Sequence, residues 1–468
     1  MDINVVNRNE EILDPGMDLI SKCGKMARLC YRVDKDTGHD TDVRIVSSCI
    51  KSGHESVIEH GIISLFINTE LTADSNKFAE FTNGNVPVPF AKYWNMIMTE
   101  SNAKYCERFD DPDIFEELKK VHKLPDTDRR ILPCLIADVR AWRQIIRERL
   151  YISGQRGDCI MMLLLIKVVK ELQRACTPDT CMFQDIIDTF NQLLADENAR
   201  KGMLLGEPKL DAYTVDTVAD YYFQSCDTVF AAPASPAASL SVILTTERAL
   251  THQLVRHRKN VAYSQESQRY VNYDKKGYSV IPLTVEPSKY PEDFIEDYNL
   301  GKVRSTSAPY IEWHKAMEDA FTHYQNLLHI YEDETGNNDG LQLPPETCRG
   351  VLPNDTATRI GVTWMNHNSF INFVYWRLDK HAQYAIRSTV ARIIYKAKMM
   401  GHTFIETIPY KLQLKWLRSI QEQKLFNGTM AENVDKMIVA TEKVQEAMEK
   451  YVAKLKAEQE AATKAEKK

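Results

Sequence analysis

The sequence predicts an α+β protein with a mixed sheet and helices, interrupted by a mostly helical insertion. Three observations carry this. Two segments with helical apolar spacing precede a short apolar run, "GIISLFI". A second run, "LSVILTT", feeds directly into a helical pattern, and two long amphipathic stretches follow.

The elements follow in order. Met17 to Tyr31 and Asp42 to Ile50 carry apolar residues at helical spacing, the second set being Val43, Ile45, Val46, Cys49 and Ile50, and Gly53 is placed to end that helix. "GIISLFI" then reads as a buried strand. From about 68 to 240 the pattern changes to proline-bearing loops ("NVPVPF", "KLPDTD"), helical stretches ("DVRAWRQIIRERL", "MMLLLIKVVKELQ") and a small-residue linker, "AAPASPAAS". This segment reads as an inserted helical subdomain that splits a core formed by residues 1–67 and 241–408.

After "LSVILTTERALTHQLVRHR", the stretch "WHKAMEDAFTHYQNLLHIY" places Met317, Ala320, Phe321, Tyr324, Leu327, Leu328 and Tyr331 on one helical face. "HAQYAIRSTVARIIYKAKMMG" gives another helix through Ile386, Val390, Ile393, Ala397 and Met400, closed by Gly401. Residues 409–468 read as a charged helical tail. In it Met437, Val444, Met448, Tyr451 and Leu455 fall near heptad spacing, which Thr441 interrupts, so a solvated, fraying helix is expected over a coiled coil.

Composition bounds the function. At 468 residues, two or three units are expected, and 44% hydrophobic with 26% charged residues is ordinary for a globular protein. No run approaches the roughly 20 apolar residues that cross a bilayer, and "MDINVVNRNEEILDPG" lacks the basic-then-apolar pattern of a signal peptide, so a cytoplasmic location is expected. Ten cysteines without a CxxC pair read as reduced thiols, "CTPDTC" (Cys176, Cys181) included. A formal charge of -6 argues against a stable nucleic-acid partner. Within this acidic chain, "RHRKNVAYSQESQRY" concentrates four Arg or Lys residues around one glutamate, which points to a small anion.

Three separated stretches carry the candidate chemistry: "GHESVIEH" (Gly53 to His60), "THQLVRHRKNVAYSQESQRY" (Thr251 to Tyr270) and "CRGVLPNDTATRIGVTWMNHNSFINFVYWRLDKHAQ" (Cys348 to Gln383). His54 and His60 are six apart and cannot share one helical face, which disfavours a zinc site of the HExxH kind. Arg256, Arg258 and Arg269 are planar forks suited to phosphate or to the carbonyl edge of a base. Ser267 has no recognisable base partner, so hydrogen bonding suits it better than nucleophilic attack. Asn366, Asn368 and Asn372 precede Arg377. Amides among "FINFVYW" need partners, and either a bound heterocycle or backbone could supply them.

Together these stretches resemble the flavin-dependent thymidylate synthase family. Its pattern is a GHxSxxEH segment, an RHR motif followed by seven residues and a serine, then a VLP...N...R...HAQ segment, in that order. The resemblance spans roughly residues 15 to 67 and 240 to 410. It implies flavin contacts at His54, Ser56, Arg256, His257, Arg258, Gln265, Asn366, Asn368 and Asn372. It also implies dUMP contacts at Gln253, Arg256, Gln265, Glu266, Ser267, Gln268, Arg269, Arg349 and Arg377. Of these, Arg377 would assist ionisation of the uracil, and Ser267 is the second catalytic candidate.

The implied chemistry is reductive methylation of dUMP to dTMP, with methylenetetrahydrofolate supplying carbon, FAD supplying hydride and NADPH reloading the flavin. The implied assembly is a homotetramer with shared active sites. No cysteine-histidine nucleophile segment of the cysteine-dependent thymidylate synthases appears, since "LPCLIAD" has no following His.

Three departures stand out. Eight residues, Lys259 to Glu266, separate Arg258 from Ser267 where the family has seven; Asn368 replaces the arginine usual two after the first Asn; and the insertion splits the core. They leave open a relative that modifies another pyrimidine nucleotide, for instance by hydroxymethylation, or an inactive relative that binds nucleotide or RNA.

Overall fold

A computed structural model describes residues 3–33, 38–67, 107–109, 134–156, 159–176, 182–195, 229–333, 335–338 and 340–466. In chain order its principal elements begin with β1 (Asn9–Ile12), α1 (Leu19–Cys30), α2 (His39–Lys51), a 3-10 helix (Glu55–His60) and β2 (Ile62–Ile67). They continue with β3 (Glu107–Phe109), β4 (Cys134–Asp138), α3 (Val139–Arg156), α4 (Cys159–Ala175), α5 (Gln184–Ala195) and β5 (Val229–Pro233). Then come β6 (Leu240–Glu247), α6 (Arg248–Leu254), β7 (Val261–Gln265), α7 (Ala308–Leu328), β8 (Ala357–Trp364), α8 (His367–Arg377), α9 (Tyr384–Met399), α10 (Tyr410–Glu422) and α11 (Gly428–Glu466). Mixed helix and sheet make this an α+β protein.

The chain divides into two compact units: Met1–Pro15 with Leu240–Val261 and Gln265–Lys468, and Gly16–Ser239 with Ala262–Ser264. The expected boundary was drawn at 67/68, whereas this division runs at 15/16. The segment expected to be helical also carries strands β3, β4 and β5. They extend β2 into a four-stranded sheet of order β5-β2-β4-β3, with Ile63 opposite both Ala137 and Pro233.

In the first unit β6, with Val, Ile and Thr suited to a pleated sheet, is buried along nearly its whole length between β1 and β8. The sheet order is β1-β6-β8-β7. A buried fork joins Arg8 to Glu247 at the end of β6, with both N···O distances 2.7 Å. Helix α7 starts at the Ser307 cap, whose hydroxyl accepts from Tyr310 N, and buries Trp313, Met317, Phe321, Tyr324 and Leu328. Tyr331, expected on that face, lies beyond the helix and is exposed. Met400 is likewise exposed, just after α9, and Gly401 follows with φ 61°, a left-handed turn suited to glycine. In α11 Val434, Ile438 and Thr441 near the start are buried, whereas Val444, Met448, Tyr451 and Leu455 are exposed.

The two units repeat one arrangement. Both sheets have the same order when β5, β2, β4 and β3 are set against β1, β6, β8 and β7. The strands β4 and β8 each run into a capped helix followed by a second helix. Asp138 Oδ1 accepts from Ala141 N at 2.8 Å to open α3, and Asn366 Oδ1 accepts from Ser369 N at 2.8 Å to open α8. Counted from these caps, Trp142 and Phe370, Ile145 and Phe373, Ile146 and Val374, and Leu150 and Leu378 occupy equivalent positions, and all are buried. Arg149 and Arg377 are equivalent too. Among the described residues, no helix is long and apolar enough to cross a membrane.

Candidate active site

The short helix α6 ends at Leu254, whose carbonyl accepts from His257 N at 3.0 Å and turns the chain outward. The loop that follows holds Arg256 and Arg258 in solvent. Among the described residues neither makes a hydrogen bond or ion pair. Asn260 closes the loop at φ 54°, a conformation asparagine tolerates, and its carbonyl accepts from Met365 N at 2.9 Å. This turn lies where the sequence carries one residue more than the family pattern.

His257 packs edge-on against Phe373 of α8, ring centroids 5.1 Å apart. Its Nε2 lies 2.8 Å from Arg377 Nε, and Arg377 Nη2 donates to the Gln253 carbonyl at 3.1 Å. A guanidinium can only donate, so Nε2 accepts and the ring is neutral with its proton on Nδ1. Burial, reinforced by the Arg377 cation, pushes the His257 pKa down to about 4. The Gln253 side chain in turn donates to Gln383 Oε1. Residues from α6, α8 and the turn into α9 thus fix one guanidinium. Asp379, two residues on, is engaged elsewhere: its Oδ1 accepts from His381 N at 2.9 Å.

Beyond β7 the chain brings in the remaining candidates. The Gln265 amide is taken up by Thr251 Oγ1 at 3.0 Å and Thr358 Oγ1 at 3.4 Å. Glu266 and Gln268 are buried, Ser267 is half-buried, and Arg269 is exposed, bridged to Glu346 at 2.9 Å. Ser267 Oγ accepts from Arg269 N at 3.3 Å. Burial, then the Glu266 charge, raises the Tyr273 phenol far above its ordinary range.

Arg248, which the motif reading passed over, donates to the Glu266 carbonyl at 3.4 Å. Burial, and in part the nearby Arg349 cation, lowers its pKa. Its signal was present in "ERALTHQL", at the start of the helix that delivers the motif. Gln383, Thr251 and Thr358 were also missed, although all three lie inside the quoted stretches Thr251–Tyr270 and Cys348–Gln383.

The three asparagines separate. Asn366 is buried and its oxygen caps α8, so that acceptor serves backbone; Asn368 and Asn372 are exposed. In the other unit His54 and Ser56 are exposed, with His54 Nδ1 3.0 Å from the Tyr31 hydroxyl. His60 is fully buried, and burial, then the Lys22 charge, pushes its pKa down to about 3. No group of three or more His, Cys, Asp or Glu among the described residues could hold a metal ion.

Residues 233–400 match the model of the family described as thymidylate synthase complementing protein. Flavin-dependent thymidylate synthases are among the similar proteins. The one of Geobacter sulfurreducens is 32% identical over 157 residues, 33% of this chain and 54% of the relative. That of Clostridium tetani is 30% identical over 175 residues, 36% of this chain and 62% of the relative. That of Mycobacterium tuberculosis is 32% identical over 155 residues, 32% of this chain and 54% of the relative. The chain thus spans between 54% and 62% of the length of these relatives. Segment 233–400, which holds the RHR loop, Ser267 and Arg377, is thus the part of the chain that is similar to flavin-dependent thymidylate synthases.

Proposed function

We propose that this chain carries out reductive methylation of dUMP to dTMP, with FAD as the flavin, methylenetetrahydrofolate as carbon donor and NADPH as reductant. The observation that carries the proposal is the Arg377 guanidinium, held by a neutral His257 ring and the Gln253 carbonyl. A guanidinium fixed in this way can stabilise negative charge that develops on a uracil ring more than it stabilises the neutral ring.

The residues fit the ligands in kind. Arg256 and Arg258 are exposed cations that make no hydrogen bond or ion pair among the described residues, suited to phosphate, and Asn368 and Asn372 offer exposed amides to a heterocycle. When bound, the flavin supplies hydride. The chain's part is to orient the nucleotide through Gln253, Ser267, Arg269 and Arg349 and to hold the Arg377 charge in place. His54 and Ser56 are proposed as further flavin contacts. Cytoplasmic location and a homotetramer belong to the same reading.

Asn368 and the additional residue in the loop after Arg258 favour a second reading, modification of another pyrimidine nucleotide. Titrating the flavin-loaded protein with dUMP and dCMP separates them. Flavin spectral change at micromolar dUMP with dCMP at least tenfold weaker supports dUMP as substrate. Equal or reversed preference supports the second reading, and a protein that binds neither flavin nor nucleotide contradicts both.

A further inference from the structure

The GHES turn is gripped by a helix of the segment read as an insertion. Glu55, between His54 and Ser56, accepts from Arg143 Nη2 at 2.9 Å and from Arg147 Nη1 at 3.0 Å, both on α3. The same two arginines hold Asp185 of α5, at 2.7 and 2.9 Å from Arg143 and 2.6 Å from Arg147. Arg143 also donates to the Met182 carbonyl just ahead of α5. Its side chain is fully buried, and the Glu55 side chain is only 16% exposed. Against the burial that would raise them, the two guanidiniums hold the Glu55 and Asp185 carboxyls below the ordinary range.

The repeat makes this chain-specific use visible. Arg143 is five residues after the Asp138 cap, where the other copy has Ile371 after Asn366. A buried arginine at that position requires carboxylates aimed at it, since an unpaired buried cation is costly. One carboxylate comes from the turn itself and one from α5. The Glu55 side chain is thus held by α3 and, through the shared arginines, tied to α5, while its two neighbours, His54 and Ser56, are exposed.

We propose that Arg143 is a positioning residue that presents the GHES turn for ligand binding, so that the inserted segment builds the flavin subsite instead of merely interrupting the core. The step from turn to flavin rests on the reading of His54 and Ser56 given above.

The test uses the full chain. Arg143→Met is expected to speed amide exchange across residues 53–60 while leaving α7 protected. It is also expected to weaken FAD binding at least tenfold with the dissociation constant for dUMP little changed, a split that general unfolding would not give. Arg143→Lys, unable to bridge both carboxylates, is expected to recover only part. If Arg143→Met does not fold, Glu55→Gln probes the same contact from the turn, with FAD binding expected to weaken severalfold. Unchanged exchange and unchanged FAD affinity in the folded variant overturn the proposal. If His54→Ala and Ser56→Ala leave FAD affinity intact while Arg143→Met still loosens the turn, the flavin reading of those two residues fails and the positioning role stands.

Discussion

Arg377 donates to His257 across 2.8 Å and 120 residues of sequence, joining the end of α8 to the loop after α6. Burial, reinforced by this contact, keeps the histidine between the two exposed arginines neutral. The contact also explains how a cation at a helix end keeps one orientation. Arg377→Ala should lower turnover by at least about a hundredfold, roughly 2.7 kcal/mol, with flavin content near normal. Arg377→Lys should restore only part of the activity, because an ammonium cannot make both contacts as a planar fork. A drop in melting temperature with turnover intact would instead assign Arg377 a structural role.

The same pair sets a pH dependence. The His257 pKa is about 4 in the folded protein, below the ordinary value near 6.5. Between these values the unfolded chain binds the proton and the folded one does not, so stability falls as pH drops from about 6.5 toward about 4. His60, at about 3, acts in the same direction. The comparison is therefore between wild type and His257→Gln: the variant should show a shallower loss of melting temperature from pH 7 to 5. Parallel slopes would show that the histidine does not titrate as described.

Ser267 is positioned by the turn that follows β7, its hydroxyl accepting from Arg269 N. Ser267→Ala should weaken dUMP binding and slow turnover without abolishing it, by about ten- to a hundredfold, since a hydrogen bond to a charged group contributes roughly 1.5 to 3 kcal/mol. Isothermal titration with dUMP and steady-state rates measure the two effects. Complete loss of activity with dUMP binding intact would indicate a nucleophile.

The Arg8–Glu247 fork is buried, both side chains 5% exposed, and it anchors the end of β6 from which α6 departs. Arg8→Met strands the Glu247 carboxylate and should cost about 3 to 5 kcal/mol. Adding Glu247→Leu should recover part of that loss. Denaturant unfolding reads both, and an additive pair of losses would contradict the coupling.

Much of this was legible from spacing. "GIISLFI", "LSVILTT" and the faces of α1, α2 and α7 announced themselves by period, and Gly53 marked the end of α2. The sheet inside 68–240 did not, because "CLIAD" runs into "VRAWRQII" without a turn residue, so one apolar pattern covers strand β4 and helix α3 alike. Nor did the interior of α9 show itself. The apolar stripe says nothing of Arg387 and Arg392, which are buried against Glu286 and Glu10, partners 101 and 382 residues away. The candidate residues were legible as motifs. Their division was not: Asn366 serves its helix while Asn368 and Asn372 face solvent.

The proposed chemistry is tested most directly by incubating the purified full chain, reconstituted with FAD, with dUMP, methylenetetrahydrofolate and NADPH, and resolving the nucleotides and the intact protein by mass spectrometry. The expected result is dTMP that appears only when FAD, the folate and NADPH are all present, with the protein mass unchanged throughout. Absence of dTMP from folded, flavin-loaded protein, or a covalent adduct between dUMP and a serine or cysteine of this chain, would contradict it.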